Sequence, residues 1–234
     1  MPKPISKLSS PRARVRSMEP PSVSLRPVQP VRIGASATPS RLSKPSRLPR
    51  QSLRTLDFDI ETVAAGFADP QWVPNRTVVW ACAWVDGGDV RVDALPVAKF
   101  YDKRARRRFL EPLLHAIGEA DVLTGHNVLR FDLPVLNAEC LLLGLPTLRP
   151  VLVQDTIRLP KSKGFKKGQD NMSHGLDVRA EKMPLSWAQW EEAYGEKGLG
   201  TVKERCASDV RMHMEMRAAM LDRGVLGAPR MWRP

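Results

Sequence analysis

Two carboxylates stand two residues apart in Phe58-Asp59-Ile60-Glu61-Thr62. In an extended strand, residues i and i+2 project from the same side, so Asp59 and Glu61 share a face. Held side by side they repel, and they lower stability unless a cation neutralises them. Hard oxygen ligands of this kind suit Mg²⁺ or Mn²⁺. Asp57 lies on the same face, further down the strand. A third acid, Asp132, closes the run GHNVLRFDLP that begins at Gly125. There a strand gives way to a helix, and Pro134 fits a first helical turn, where its missing N–H costs nothing. By position alone Asp132 is equally a helix N-cap. A fourth acid, Asp209, sits inside a long helical segment and borders its apolar stripe of Val202, Cys206, Val210 and Met214. On its own, an acid in mid-helix reads as part of a solvated face.

The elements that must position these acids follow from periodicity. Residues 53–62, 77–85, 90–95, 121–125 and 150–154 read as strands, the second and third joined by a turn at Asp86-Gly87-Gly88. Residues 102–120 carry helical spacing, with Phe109, Leu110, Leu113, Leu114 and Ile117 on one face. Residues 131–143 form an apolar helix ended by Gly144, and further helical patterns cover 175–183, 186–195 and 199–223. The expected fold is therefore α/β: a mixed five-stranded sheet, antiparallel over its first three strands and parallel after them, flanked by helices. Asp59 and Glu61 then project from a strand's carboxyl end, where open α/β sheets place their sites.

Composition divides the chain. Net charge is +12, from 37 basic and 25 acidic residues. Residues 1–54 hold twelve Lys or Arg against the single acid Glu19, so they carry 12 − 1 = +11 and the remainder only +1. Residues 1–52 are rich in Pro, Ser and Arg and lack any aromatic residue. Such a segment buries too little to offset its ordering entropy, so it is expected to be a disordered basic tail, with residues 53–234 as the folded domain. A transit peptide shares the Arg- and Ser-rich composition, but the prolines oppose the amphipathic helix a mitochondrial one needs. No apolar run is long enough to span a bilayer, no secretory signal is evident, and the three cysteines are scattered. A cytoplasmic protein with reduced thiols and no membrane partner is expected.

Taken together, the motifs resemble the DEDD (DnaQ-like) 3′–5′ exonuclease superfamily of the ribonuclease H-like fold. FDIET matches its first motif, GHNVLRFDLP its second and RCASDV its third, over residues 53–225. The likeness is greatest to family B polymerase proofreading domains and phage-type stand-alone exonucleases. The resemblance implies Asp59, Glu61, Asp132 and Asp209 as catalytic ligands of two divalent cations, Mg²⁺ or Mn²⁺. It implies phosphodiester hydrolysis at 3′ ends, with DNA favoured over RNA as the substrate. It also implies a role in replication, repair or proofreading, in trans to a polymerase or replisome, in the cytosol of a bacterium or a phage-infected host. Thr62 would lie near the terminal nucleotide, and Asn127 would position the substrate backbone or orient Asp132. By its place after the fifth strand, on the sheet edge that carries the acids, the basic loop over 161–170 with Lys163, Lys166 and Lys167 reads either as a phosphate contact or as a solvated loop.

One departure stands out. The superfamily places a Tyr four residues, or a His five residues, before the last Asp, to orient or deprotonate the attacking water. Here those positions hold Arg205 and Glu204. Arg205 shares a helix face with Asp209 and stays protonated, so it pairs with Asp209 or contacts phosphate but is no general base. Two further readings stand beside the nuclease: a catalytically weak nuclease fold that binds nucleic acid as an accessory, and an RNA-trimming exoribonuclease. Elsewhere, Arg104, Arg106, Arg107 and Arg108 read as a solvated helix face, Trp80, Trp84, Trp187 and Trp190 as packing residues, and His213 as packed or exposed.

Overall fold

The structure is a computed structural model, and it describes residues 52–63, 76–158, 167–180, 182–194 and 198–234. The basic tail, and Lys161, Lys163 and Lys166 of the loop, lie outside the described residues. Strands β1 (Thr55–Val63), β2 (Arg76–Trp84) and β3 (Arg91–Ala94) form an antiparallel meander. Helix α1 (Lys103–Glu119) leads to β4 (Val122–Gly125), and α2 (Asp132–Leu143) leads to β5 (Val151–Asp155). Helices α3 (Gln169–Gly175), α4 (Trp187–Tyr194) and α5 (Gly200–Asp222) follow, and β6 (Arg230–Trp232) closes the sheet. The spatial order is β3-β2-β1-β4-β5-β6. β4 is parallel to β1 and to β5, while β6 is antiparallel to β5.

The mixed sheet flanked by helices is the expected architecture, with β6 as a sixth strand. Three residues bounded by loop residues give no readable period, which is why β6 escapes the sequence. Among the described residues, the helix expected over 175–183 is absent. Instead α3 ends at Gly175, and Asp177 takes a left-handed φ of 55° that stops helical continuation.

Each boundary has a local cause. Asp102 caps α1 by accepting from the backbone N–H groups of Arg104 and Ala105, at 2.9 and 3.1 Å. Gly144, at φ 63°, ends α2, and Leu145 N–H then reaches back to Cys140 O. The sheet separates two cores. Leu56, Phe58 and Ile60 of β1 pack with Leu110, Leu113, Leu133 and Leu136 of α1 and α2 on one side. Val79, Ala81 and Ala83 of β2 pack with Val202, Cys206 and Val210 of α5 on the other. The Arg104–Arg108 run is not uniformly solvated. Arg106 is buried and ion-paired with buried Glu139 of α2, which also accepts Thr77 N–H of β2 at 2.9 Å. Trp80 and Trp190 pack as expected, but Trp187 is 63% exposed. Among the described residues no helix is long and apolar enough to cross a membrane.

Candidate metal centre

The centre is built by matching two repeats. Asp57, Asp59 and Glu61 alternate along β1 and face α5. Four residues of strand span about 13 Å. On α5, residues 205 to 213 span about 12 Å. Running antiparallel, the two elements meet in register. Arg205 Nε donates to Glu61 Oε1 at 2.7 Å, Cys206 Sγ lies 3.5 Å from Asp59 Oδ2, and His213 Nδ1 lies 2.6 Å from Asp57 Oδ2. The β1–β2 register slips between Glu61 and Thr62, which ends the strict alternation just past the acids.

Asp59, Glu61 and Asp209 each offer an oxygen within 4.8 Å of the others. Asp132 approaches from the start of α2, where its Oδ1 accepts Ile60 N–H at 3.1 Å. That bond ties the helix to the strand between the two β1 acids. All four acids line one cleft of about 420 Å³, at the carboxyl ends of β1, β4 and β5. The electrostatics are those of crowded acids. Burial, then the charges of Asp132, Glu61 and Asp209, push the Asp59 carboxyl well above the usual range. Burial lifts Asp132 to about 7. Glu61 and Asp209 are also raised by burial, against the pull of Arg205 on Glu61 and of Lys182 and Arg205 on Asp209.

The donor set fits a divalent cation. It is all carboxylate oxygen, and Asp209 Oδ1 is buried with no hydrogen-bond partner among the described residues. A cation would satisfy that oxygen and relieve the mutual repulsion. Two side-chain cations already offset part of this repulsion. Arg205 lies 3.7 Å from Asp209 as well as bonding Glu61, and Lys182 Nζ lies 3.7 Å from Asp209. Burial works against the Arg205 charge, but Glu61 and Asp209 carry its pKa upward, so the guanidinium stays protonated.

Other expected site residues fall into place unevenly. Asn127 and Lys167 line the cleft, whereas Thr62 does not. Asn127 adopts φ 68°, and its N–H is held by Asp155 Oδ1 at 2.8 Å, so Asp155 organises this turn. Glu204 faces a different, shallow pocket with Gly200 and Arg211, away from the acids. Beside the first cleft, a polar cleft of about 890 Å³ is lined by His174, Asp170 and Arg179 and shares Lys182 and Arg205 with it. Sequence reasoning missed Lys182, Gln169 and the cleft-facing side of His126. It also missed that His213 is buried against Asp57. No local pattern marks Lys182; its partner Asp209 is on another element.

No known protein family and no curated protein matches the chain. Among solved structures, a family B DNA polymerase from the hyperthermophilic archaeon Pyrobaculum calidifontis superposes with a TM-score of 0.57 at 22% identity. The match covers 73% of this chain and 25% of the polymerase. The chain thus spans about a quarter of that polymerase's length, and it shares with it a fold: a mixed sheet flanked by helices, compatible with the ribonuclease H-like class.

Proposed function

We propose that the chain is a metal-dependent 3′–5′ exonuclease of the DEDD type, acting on single-stranded nucleic acid ends. The observation that carries this reading is the convergence of Asp59, Glu61, Asp132 and Asp209 on one cleft, three of them within 4.8 Å. In the proposal these four acids hold two Mg²⁺ or Mn²⁺ ions. Such ions, when bound, activate water and stabilise the leaving oxygen of a phosphodiester. The chain's own groups do the rest. Asp132 keeps α2 docked on β1, so the fourth carboxylate faces the other three. Arg205 and Lys182 supply positive charge for the scissile phosphate once the cations take over the acids. Lys167 and Asn127 line the path of the sugar–phosphate backbone, and Lys163 and Lys166 are proposed as further phosphate contacts from sequence alone. The nuclease domain is residues 53–234, and the basic tail adds sequence-independent attraction. Replication, repair or proofreading in trans to a polymerase is the proposed setting.

A second reading has its own support. Arg205 stands where a water-orienting Tyr or His is expected, and it occupies Glu61. This favours a catalytically weak fold that binds nucleic acid as an accessory. One assay separates the two. A 3′-labelled single strand of DNA, and one of RNA, is incubated with Mg²⁺, Mn²⁺ or EDTA. Stepwise shortening that needs the cation, and that falls at least about a thousand-fold in Asp59→Ala, supports the nuclease. Tight strand binding without shortening supports the accessory, and the RNA arm decides the substrate.

A further inference from the structure

Thr156, at the end of β5, is fully buried and has polar neighbours on three sides. Its Oγ1 lies 2.9 Å from His213 Nε2, 3.1 Å from His126 Nδ1 and 3.2 Å from the Gly125 carbonyl. Inward, His213 Nδ1 meets Asp57 Oδ2 at 2.6 Å. Outward, His126 Nε2 meets the Lys167 carbonyl at 2.9 Å. A single line of hydrogen bonds therefore runs from β1, through α5 and the end of β5, to the wall of the cleft.

The order of protons follows from donors and acceptors. A carbonyl only accepts, so His126 Nε2 carries a hydrogen. Burial holds the His126 pKa down at about 4, so the ring is neutral and Nδ1 bears a lone pair. Thr156 has one hydroxyl hydrogen, and turning it to Gly125 would set Oγ1 against that lone pair. It serves the shorter contact, His126 Nδ1 at 3.1 Å, in preference to the Gly125 carbonyl at 3.2 Å. His213 Nε2 must then donate to Oγ1, or two lone pairs would meet. One more proton lies between His213 Nδ1 and Asp57. This order leaves a single opposed pair, Oγ1 against the Gly125 carbonyl, at the longest of the three contacts, 3.2 Å.

We propose that Asp57, His213, Thr156 and His126 are positioning residues: the line fixes the His126 ring from the core and so pins Lys167 at the cleft mouth, on the path of a bound single strand. The pinned segment continues to Gln169, whose side chain donates to Asp209 O at 3.0 Å. Lys167 and its neighbours are thus held at both ends, by His126 and by the backbone of the ligand-bearing helix. The substrate role rests on the nucleic-acid reading above; the hydrogen-bond order does not.

Imidazole ¹⁵N NMR at neutral pH reads the order directly. In the wild type, His126 is expected to be protonated at Nε2 and bare but hydrogen-bonded at Nδ1. In Thr156→Val, the Nδ1 resonance is expected to move to that of an unbonded nitrogen. A bare Nε2 in the wild type, or an unmoved Nδ1 resonance in Thr156→Val, overturns the proposal. The second arm measures binding of a short fluorescent single-stranded oligodeoxynucleotide in Ca²⁺. Thr156→Val and His126→Leu should each weaken binding about ten-fold, while His126→Gln, whose amide still reaches the carbonyl, stays within about three-fold. Equal weakening by His126→Gln and His126→Leu overturns the positioning role. A wild type that shows the expected NMR order but binds no strand overturns the nucleic-acid reading, and with it the substrate role of the line.

Discussion

Arg205 pairs with Glu61 and lies near Asp209, with 17% of its side chain exposed and 14% of Glu61's. Replacing it by Met removes the cation from Glu61 and leaves Asp209 only Lys182, which should cost about 2 kcal/mol. Urea unfolding in EDTA measures that loss. In Mn²⁺ the loss should largely vanish, because the ion takes the vacated role, and calorimetric Mn²⁺ affinity should rise because a competitor is gone. Unchanged affinity would separate Arg205 from the metal centre. The acids also set a pH dependence. Asp132 is raised from 3.8 to about 7, and burial together with the charges of three other acids pushes Asp59 well above its usual range. A folded carboxyl with a raised pKa binds a proton the unfolded chain has already lost. Stability in EDTA should therefore fall as pH climbs from about 4 to about 7. Mn²⁺ should flatten that slope and release protons on binding below the upper limit. Denaturation midpoints across this range, with and without the ion, check the sign.

At the scale of elements, the carboxyl end of β4 is the tightest junction. A Cβ on Gly125 would meet Val128 Cγ1 at 2.3 Å and Phe58 O at 2.8 Å. The second contact is backbone of β1, one residue before Asp59, so the strand itself would have to move. Gly125→Ala should cost about 2–3 kcal/mol and reduce Mn²⁺ affinity together with stability. Thermal melting and Mn²⁺ titration of this variant test the coupling. The longer elements were legible because their periods are sustained: the alternation of β1, the apolar stripes of α1 and α5. Period also places Asp59 with Glu61, whereas Asp132 and Asp209 were joined to them only through the motif resemblance. What was not legible depends on distant partners. Arg106 reads as solvated until Glu139 is placed beside it, 33 residues on. Lys182 means nothing until α5 brings Asp209 within 3.7 Å. The 169–175 helix was missed because it opens inside a basic, Gly-containing stretch with no apolar period.

At the scale of the whole molecule, charge and chemistry are segregated. The acids that would hold cations belong to a body of net charge close to +1, while residues 1–54 carry +11. Strand binding should therefore have two separable parts. A chain lacking residues 1–51 should keep the melting temperature and Mn²⁺ affinity of the full chain. Its binding to single-stranded DNA should fall less steeply with salt, because fewer counterions are released. Binding isotherms at several salt concentrations give the two slopes, and equal slopes would remove the tail from the interaction.

The pairing of β1 with α5 also bears on the birth of the chain. Glu61 and Arg205 are 144 residues apart, and Asp59 and Cys206 are 147 apart. The early strands can form their meander while the rest is still being synthesised, since their contacts are local. The cation site cannot. Its third wall arrives only when α5 has left the ribosome and closed that long loop, the slow kind of step in folding. A nascent chain bearing Asp59, Glu61 and Asp132 thus still lacks the fourth acid, and the cleft is complete only after α5 has emerged and docked.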